Sequence, residues 1–201
     1  MTPATDPDTY VSRFNRTLAG IVVALCAVSA VALSLTGQEL FLIPTGFIVL
    51  LCWVYLWAPS VCVSDRAVTV RNPLRTIEIP WAALVQVDTK FSLTLFTPGR
   101  RWPVWVAPAP GRGTVRRANR AGESVDRTRF MTVEPRPGDL PGTESGDAAQ
   151  LVRNRWDRLQ ATGAIEAGVA EQTPVTLIPH RTIAALLVVF AVGSAAAILL
   201  G

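Results

Sequence analysis

Three uncharged, almost wholly apolar stretches, residues 18–35, 40–58 and 182–200, constrain this 201-residue chain more than anything else in it. Each is about as long as the ~20 residues a helix needs to cross the hydrocarbon core of a bilayer. A charge at mid-bilayer costs roughly 2.5–3.5 kcal/mol even on the forgiving insertion scale. No Asp, Glu, Lys, Arg or His interrupts any of the three. A soluble domain would distribute its apolar residues periodically, not in blocks. The stretches predict three transmembrane helices, the first two joined as a hairpin by the polar turn Thr36-Gly37-Gln38-Glu39. The first exceeds the roughly 7–15-residue apolar core of a signal peptide, and no small-x-small site follows it, so it is expected to be retained.

Of the nineteen basic residues, all but Arg13 and Arg16 fall between the second and third stretches. Arg66, Arg71 and Arg75 follow the second closely, and Arg181 abuts the third. Basic residues stay on the cytoplasmic side, so the N-terminus and the middle segment are expected in the cytoplasm and the C-terminus outside. Lys90 is the single lysine, a bias that a GC-rich bacterial genome would also produce. Gly193, Ala197 and Gly201, and likewise Gly20 and Ala24, repeat at four-residue spacing. They suit close helix packing in lipid, or simply reflect the composition of bacterial spans. Trp53, Tyr55 and Trp57 fit an aromatic belt at the end of the second span. Without intramembrane charge, transport chemistry is not expected.

Beyond residue 59 the pattern changes to period two. Val61 and Val63, Val68 and Val70, Ile77 and Ile79, Val85 and Val87, Leu93 and Leu95, then Trp102, Val104 and Val106 alternate with mostly polar partners. Such alternation marks strands with one buried and one wet face. Ser64-Asp65-Arg66, Asn72-Pro73 and Thr97-Pro98-Gly99-Arg100 supply the turns. The result is a meandering antiparallel sheet that curls into a barrel or sandwich. Trp102 is expected in the core. Trp105, on the opposite face, is expected to be buried elsewhere or, if outward, to touch lipid or a partner.

Residues 107–146 are rich in Pro, Gly and Arg, with nine arginines against three acids between Arg100 and Arg136. This insertion reads as a solvated loop, with a short helix over 114–120, one more strand over 129–134, and attraction to anionic lipid as the alternative role for its charge. A helix follows, with Asp147 as N-cap, Gln150 completing a capping-box-like pair and Gly163 as stop. Ala148, Val152, Trp156 and Leu159 form its apolar face, and Arg153 and Asp157 can pair on another. Residues 164–181 read as a linker into the third span.

A meander closed by an amphipathic helix with a central Trp resembles the pleckstrin-homology (PH) fold. Val68-Thr69-Val70-Arg71-Asn72-Pro73, followed by Ile79-Pro80-Trp81, resembles the bacterial PH-like domain of small actinobacterial membrane proteins. The resemblance implies an α+β membrane protein: segment 1–17, a helical hairpin 18–58, a cytoplasmic PH-like domain 59–163, linker 164–181 and span 182–201. It implies an adaptor more than a lipid reader, because the Ser64–Ala67 turn carries one base beside an acid where phosphoinositide-binding relatives place several bases.

Catalysis finds little in this sequence. His180 is the sole histidine and sits at a span entrance; Cys26, Cys52 and Cys62 have no C-x-x-C or His neighbour. Neither a zinc site nor a disulfide framework is expected, nor any cofactor. Gly111-Arg112-Gly113 lacks the context of a phosphate loop. No nucleic-acid fold accompanies the basic region. The expected role is a non-enzymatic scaffold at the inner leaflet with a protein partner. The alternatives are an anionic-lipid surface module or an accessory subunit of a transport or secretion complex. Arg100, Arg101, Trp105, Arg112, Arg116, Arg117 and Arg120 are the candidate lipid or partner contacts.

Overall fold

Ser12 starts the first helix. Its backbone is extended and its hydroxyl oxygen accepts from Asn15 N at 3.0 Å, satisfying one of the N–H groups a helix start leaves open. In the computed structural model, which describes residues 6–89, 92–108, 143–166 and 168–200, helix α1 spans Arg13–Leu35. Gly37, at φ 73°, follows its end and turns the chain. A short 3-10 turn, Glu39–Phe41, leads into α2, Leu42–Cys52, with Pro44 in its first turn as its missing N–H permits. The last turn of this span, Trp53–Trp57, is π-helical: Ala58 N donates to the Trp53 carbonyl at 2.9 Å, five residues back.

The strands fall where alternation places them: β2 Ser60–Val63, β3 Ala67–Asn72, β4 Arg75–Pro80, β5 Gln86–Asp88, β6 Ser92–Thr97 and β7 Arg100–Pro108. Val85 lies ahead of β5 and is exposed, so only Val87 of that pair joins the core. Thr97-Pro98-Gly99-Arg100 links β6 to β7, with Gly99 at φ 69°, the left-handed conformation a type II turn requires after its proline. Two further strands arise outside the meander. Asp8–Tyr10, in the N-terminal segment, is β1 and pairs antiparallel with β2. Thr176–Pro179, within the expected linker, is β8 and pairs antiparallel with β4. The strands form two sheets, ordered β1-β2-β3-β4-β8 and β5-β6-β7, and not one six-stranded meander.

One core lies between them. Val61, Val63, Val68, Val70, Ile77 and Ile79 meet Leu93, Leu95, Trp102, Val104 and Val106, all buried. Helix α3, Glu144–Ala161, touches strands of both sheets and adds Ala148, Ala149 and Val152, with Trp156 and Leu159 packed partly against them. Its N-cap is Thr143 and not Asp147. The Thr143 hydroxyl accepts from Gly146 N at 3.0 Å, and Asp147 sits in the first turn, where its charge suits the helix dipole. Gly163, at φ 68°, ends the helix as its sequence implies. The helix expected over 114–120 and the strand over 129–134 lie outside the described residues.

Helix α4, Arg181–Leu200, follows β8 after His180 alone. It packs on α2, as does α1. Gly193 faces α2, where an added Cβ would stand 3.3 Å from Ile43 Cγ2, and Ala197 is buried. The small residues of α1 do not pack this way. Gly20 has nothing within 4 Å and Ala24 is exposed, while Ala19 and Cys26 are the buried positions. Helix α1, Glu39–Trp57 and α4 are each long and apolar enough to cross a membrane.

Candidate functional site

Asn72 ends β3 and is buried, and its amide performs the work of a strand backbone. Its Nδ2 donates to the Pro103 carbonyl at 2.9 Å, and its Oδ1 accepts from Trp105 N at 2.9 Å. One side chain thereby satisfies an acceptor and a donor of β7, tying that strand to the other sheet. Trp105 is then held outward, 53% exposed. It does not find the burial expected of it; its indole N–H donates at 3.0 Å to the Tyr55 carbonyl in the π-helical turn. The last carbonyls of a helix have no partner within it, so this bond satisfies an orphan acceptor. The two rings meet edge to face with centroids 5.6 Å apart.

Other contacts join the sheets to the helix ends. The His180 amide donates to the Leu74 carbonyl at 2.9 Å, and its Nδ1 lies 3.3 Å from the Pro73 carbonyl. A carbonyl only accepts, which assigns the ring proton to Nδ1 and leaves Nε2 to accept from the Thr76 hydroxyl at 2.9 Å. Ser12, besides capping α1, donates to Glu144 at the start of α3. The Arg16 guanidinium carbon stands 5.2 Å from the Trp57 ring centroid.

Arg155 is the largest departure from the sequence reading. It belongs to α3, is 2% exposed and bonds two carboxylates: Asp8 on β1 at 2.8 Å, and Asp65 in the β2–β3 turn. Burial alone would lower its pKa, but the hydrogen bonds to Asp8 and Asp65 and their charges raise it on balance, so the guanidinium stays charged. Tyr10, two residues from Asp8 on β1, has its phenol pKa pushed up by burial and then by the negative charges of Glu144 and Asp147.

Arg100 and Arg101 open β7 and are both exposed. Arg100 lies over the ring of Trp102, 5.7 Å from its centroid, while Trp102 is buried in the core with Nε1 donating to the Thr97 hydroxyl at 2.9 Å. A cleft of about 230 Å³ opens here, walled by Arg100, Trp102, Glu171, Thr173, Val175 and Leu177. Arg100 and Trp105 are five residues apart on an extended strand, roughly 16 Å at ~3.3 Å per residue. They belong to different places on the domain. Arg112, Arg116, Arg117 and Arg120 lie outside the described residues. The sequence marks Tyr55 only as part of an aromatic belt and Asn72 only as a turn and motif residue, and it does not single out Arg155. The Asn-Pro step read as a turn signal, and an arginine on an amphipathic helix reads as solvated.

A family model described as bacterial PH domain matches residues 58–168. The chain belongs to that family. No curated protein and no solved structure matches it. The matched stretch runs from the end of the second span to the segment before β8, so β1 and β8, which flank the sheet, lie outside it. Within the PH domain, the Ser64–Ala67 turn offers a single base, Arg66, which is exposed, and its acid, Asp65, is held by Arg155. Among the described residues no group of three or more His, Cys, Asp or Glu is arranged to hold a metal ion.

Proposed function

We propose that this chain is a non-enzymatic scaffold anchored in the cell membrane, whose PH domain receives a protein partner. In this reading residues 59–163 form a PH-like β sandwich capped by α3, and residues 18–58 and 182–201 are its anchors. The domain and N-terminus lie in the cytoplasm and the C-terminus outside, in keeping with the basic residues that flank the spans. PH domains are generally non-catalytic modules, which agrees with a binding role.

The observation that carries the reading is β8. It is the edge of the five-stranded sheet, and its four residues are all exposed, Leu177 by 41% and Ile178 by 51%. Sheet edges offer unpaired N–H and C=O groups, and proteins ordinarily cover or charge them. An aliphatic edge next to the Arg100–Trp102 cleft suits an extended partner segment that adds as a further strand. Arg100 and Arg101 would then meet the partner's acidic side chains.

A photo-crosslinker at position 178 in native membranes tests this. The expected result is one stoichiometric adduct that disappears when Leu177→Pro removes the outward-facing amide of the edge, while the protein stays folded. Recovery of the chain alone, or an adduct indifferent to Leu177→Pro, would overturn the reading.

A further inference from the structure

Strand register brings all three helix attachments to one rim of the five-stranded sheet. β1 ends there, with Tyr10 opposite Val61 and Ser12 and α1 close behind. β2 starts there, with Ser60 opposite Arg71, soon after the second span closes at Trp57. β8 finishes there, with Pro179 opposite Arg75, and α4 follows His180. The turn between β3 and β4 lies at the same rim, because Asn72 and Arg75 pair across it. The Ser64–Ala67 turn lies at the other end of the strands, beyond the Val63–Val68 pair.

The β3–β4 turn is unusual for its position. Leu74, at its tip, is 44% exposed. A lone exposed leucine is ordinary on a protein surface. This one occupies a turn, where polar residues or glycine commonly serve the backbone, and it stands beside the start of a span. The carbonyls of Pro73 and Leu74 both face donors of His180, which lowers the cost of taking the turn out of water. Arg71 and Arg75 flank the turn and Arg181 begins α4; all three are exposed, and none makes an ion pair among the described residues. No Asp or Glu occurs in residues 71–76 or 179–182. Glu144 reaches this rim at Ser12, beside β1, at the opposite margin of the sheet from β8. Asn72 also holds exposed Trp105 at this end, against Tyr55 of the second span. Leucine, tryptophan and arginine together suit the boundary between water and lipid.

We propose that the β3–β4 turn is a bilayer-contact loop, with Leu74 entering the interface of an anionic leaflet and Arg71, Arg75 and Arg181 lying against its phosphates. The bilayer is the occupant that this rim meets by continuity, since the chain passes from the rim into its spans on either side of the turn. The inference rests on α4 crossing the membrane, as proposed above, and is independent of what docks along β8.

The test uses the full chain in nanodiscs of phosphatidylcholine alone or mixed with phosphatidylglycerol. An environment-sensitive fluorescent amino acid is placed at position 74 or, as a control on the far turn, at position 66. A nitroxide at a shallow position on the lipid chain is expected to quench position 74 and not position 66, and more strongly in the anionic membrane. Arg75→Gln removes a charge that contributes about 1 kcal/mol at such a surface, so the ratio of docked to undocked turn should fall about five-fold. Arg71→Gln, also at an exposed position, should behave alike. Three results overturn the proposal: equal quenching at 74 and 66, equal quenching in the two membranes, or protection of position 74 from a soluble quencher without quenching by lipid, as a covering second copy would give. Carbonate extraction of native membranes separates this inference from the reading beneath it. Release of the chain removes the spanning helices and the loop together, whereas a retained chain with position 74 unquenched removes the loop alone.

Discussion

The indole N–H of Trp105 and the carbonyl of Tyr55 meet at 3.0 Å, so the PH domain caps the helix that precedes it. Tyr55 belongs to a π-helical turn, in which each amide reaches back five residues and the carbonyls near the end are left for outside partners. Asn72 fixes the height of Trp105 by holding its own amide. The seam between helix and sheet is thus made by three residues from three elements.

Trp105→Phe keeps the ring contact and removes the donor. A net hydrogen bond is worth about 1 kcal/mol, or roughly a five-fold change in a local opening equilibrium. Hydrogen exchange at Ala58, whose amide closes the π turn, should speed up by that factor. Exchange in β3 and β4 should not change.

Arg155 should show an asymmetry between removing a cation and removing its partners. Arg155→Met deletes the buried charge and keeps much of the volume; Asp8→Asn with Asp65→Asn leaves the cation buried without an anion. The double variant should be the less stable, by about 2 kcal/mol. This figure lies below the roughly 3–5 kcal/mol of fully buried pairs because Asp8 and Asp65 are themselves partly in solvent. Denaturant unfolding followed by tryptophan fluorescence measures it.

Tyr10 predicts an alkaline limb. Its folded pKa lies above the ordinary value of 10.0, so above that pH the unfolded chain gives up its proton first. The native state then binds more protons than the unfolded one, and stability falls as pH rises. The contribution is fully present below pH 10.0 and is lost above it. Tyr10→Phe should flatten the dependence of the unfolding midpoint above about pH 10, while leaving the profile at neutral pH unchanged.

Gly193 and Gly20 should part company. Leucine at 193 must displace Ile43 on α2, an overpacking that typically costs about 1–3 kcal/mol. Leucine at 20 enters open space and should be near neutral. Titration of helix content with a denaturing detergent compares the two directly.

Much of this architecture is legible in the sequence because apolar residues declare their period. The spans show as uncharged blocks, and β2, β3, β4, β6 and β7 as alternation. β1 and β8 escape notice for a physical reason. Asp8-Thr9-Tyr10 is too short to show a period, and Thr176–Pro179 has all four residues exposed between Pro174 and its own terminal proline. Both are edge strands, where sequence is least constrained by a core. The candidate site was legible only as residue types. Arg100, Arg101 and Trp105 are outward, as a contact surface needs, but spacing along the chain could not reveal that Trp105 would dock on Tyr55. Arg155 was hidden because its two acids lie 147 and 90 residues away in the chain.

Each of the three long apolar helices joins directly to a strand of a single sheet: β1 leads into α1, the second helix into β2, and β8 into α4. A domain on one tether swivels freely and absorbs any pull as slack. With three attachments, two of them at opposite margins of the sheet, there is little slack to take up. A tug on β8 passes through His180 alone to α4 and is expected to tilt or shift that helix, while the hydrogen-bonded strands keep their spacing of about 4.8 Å.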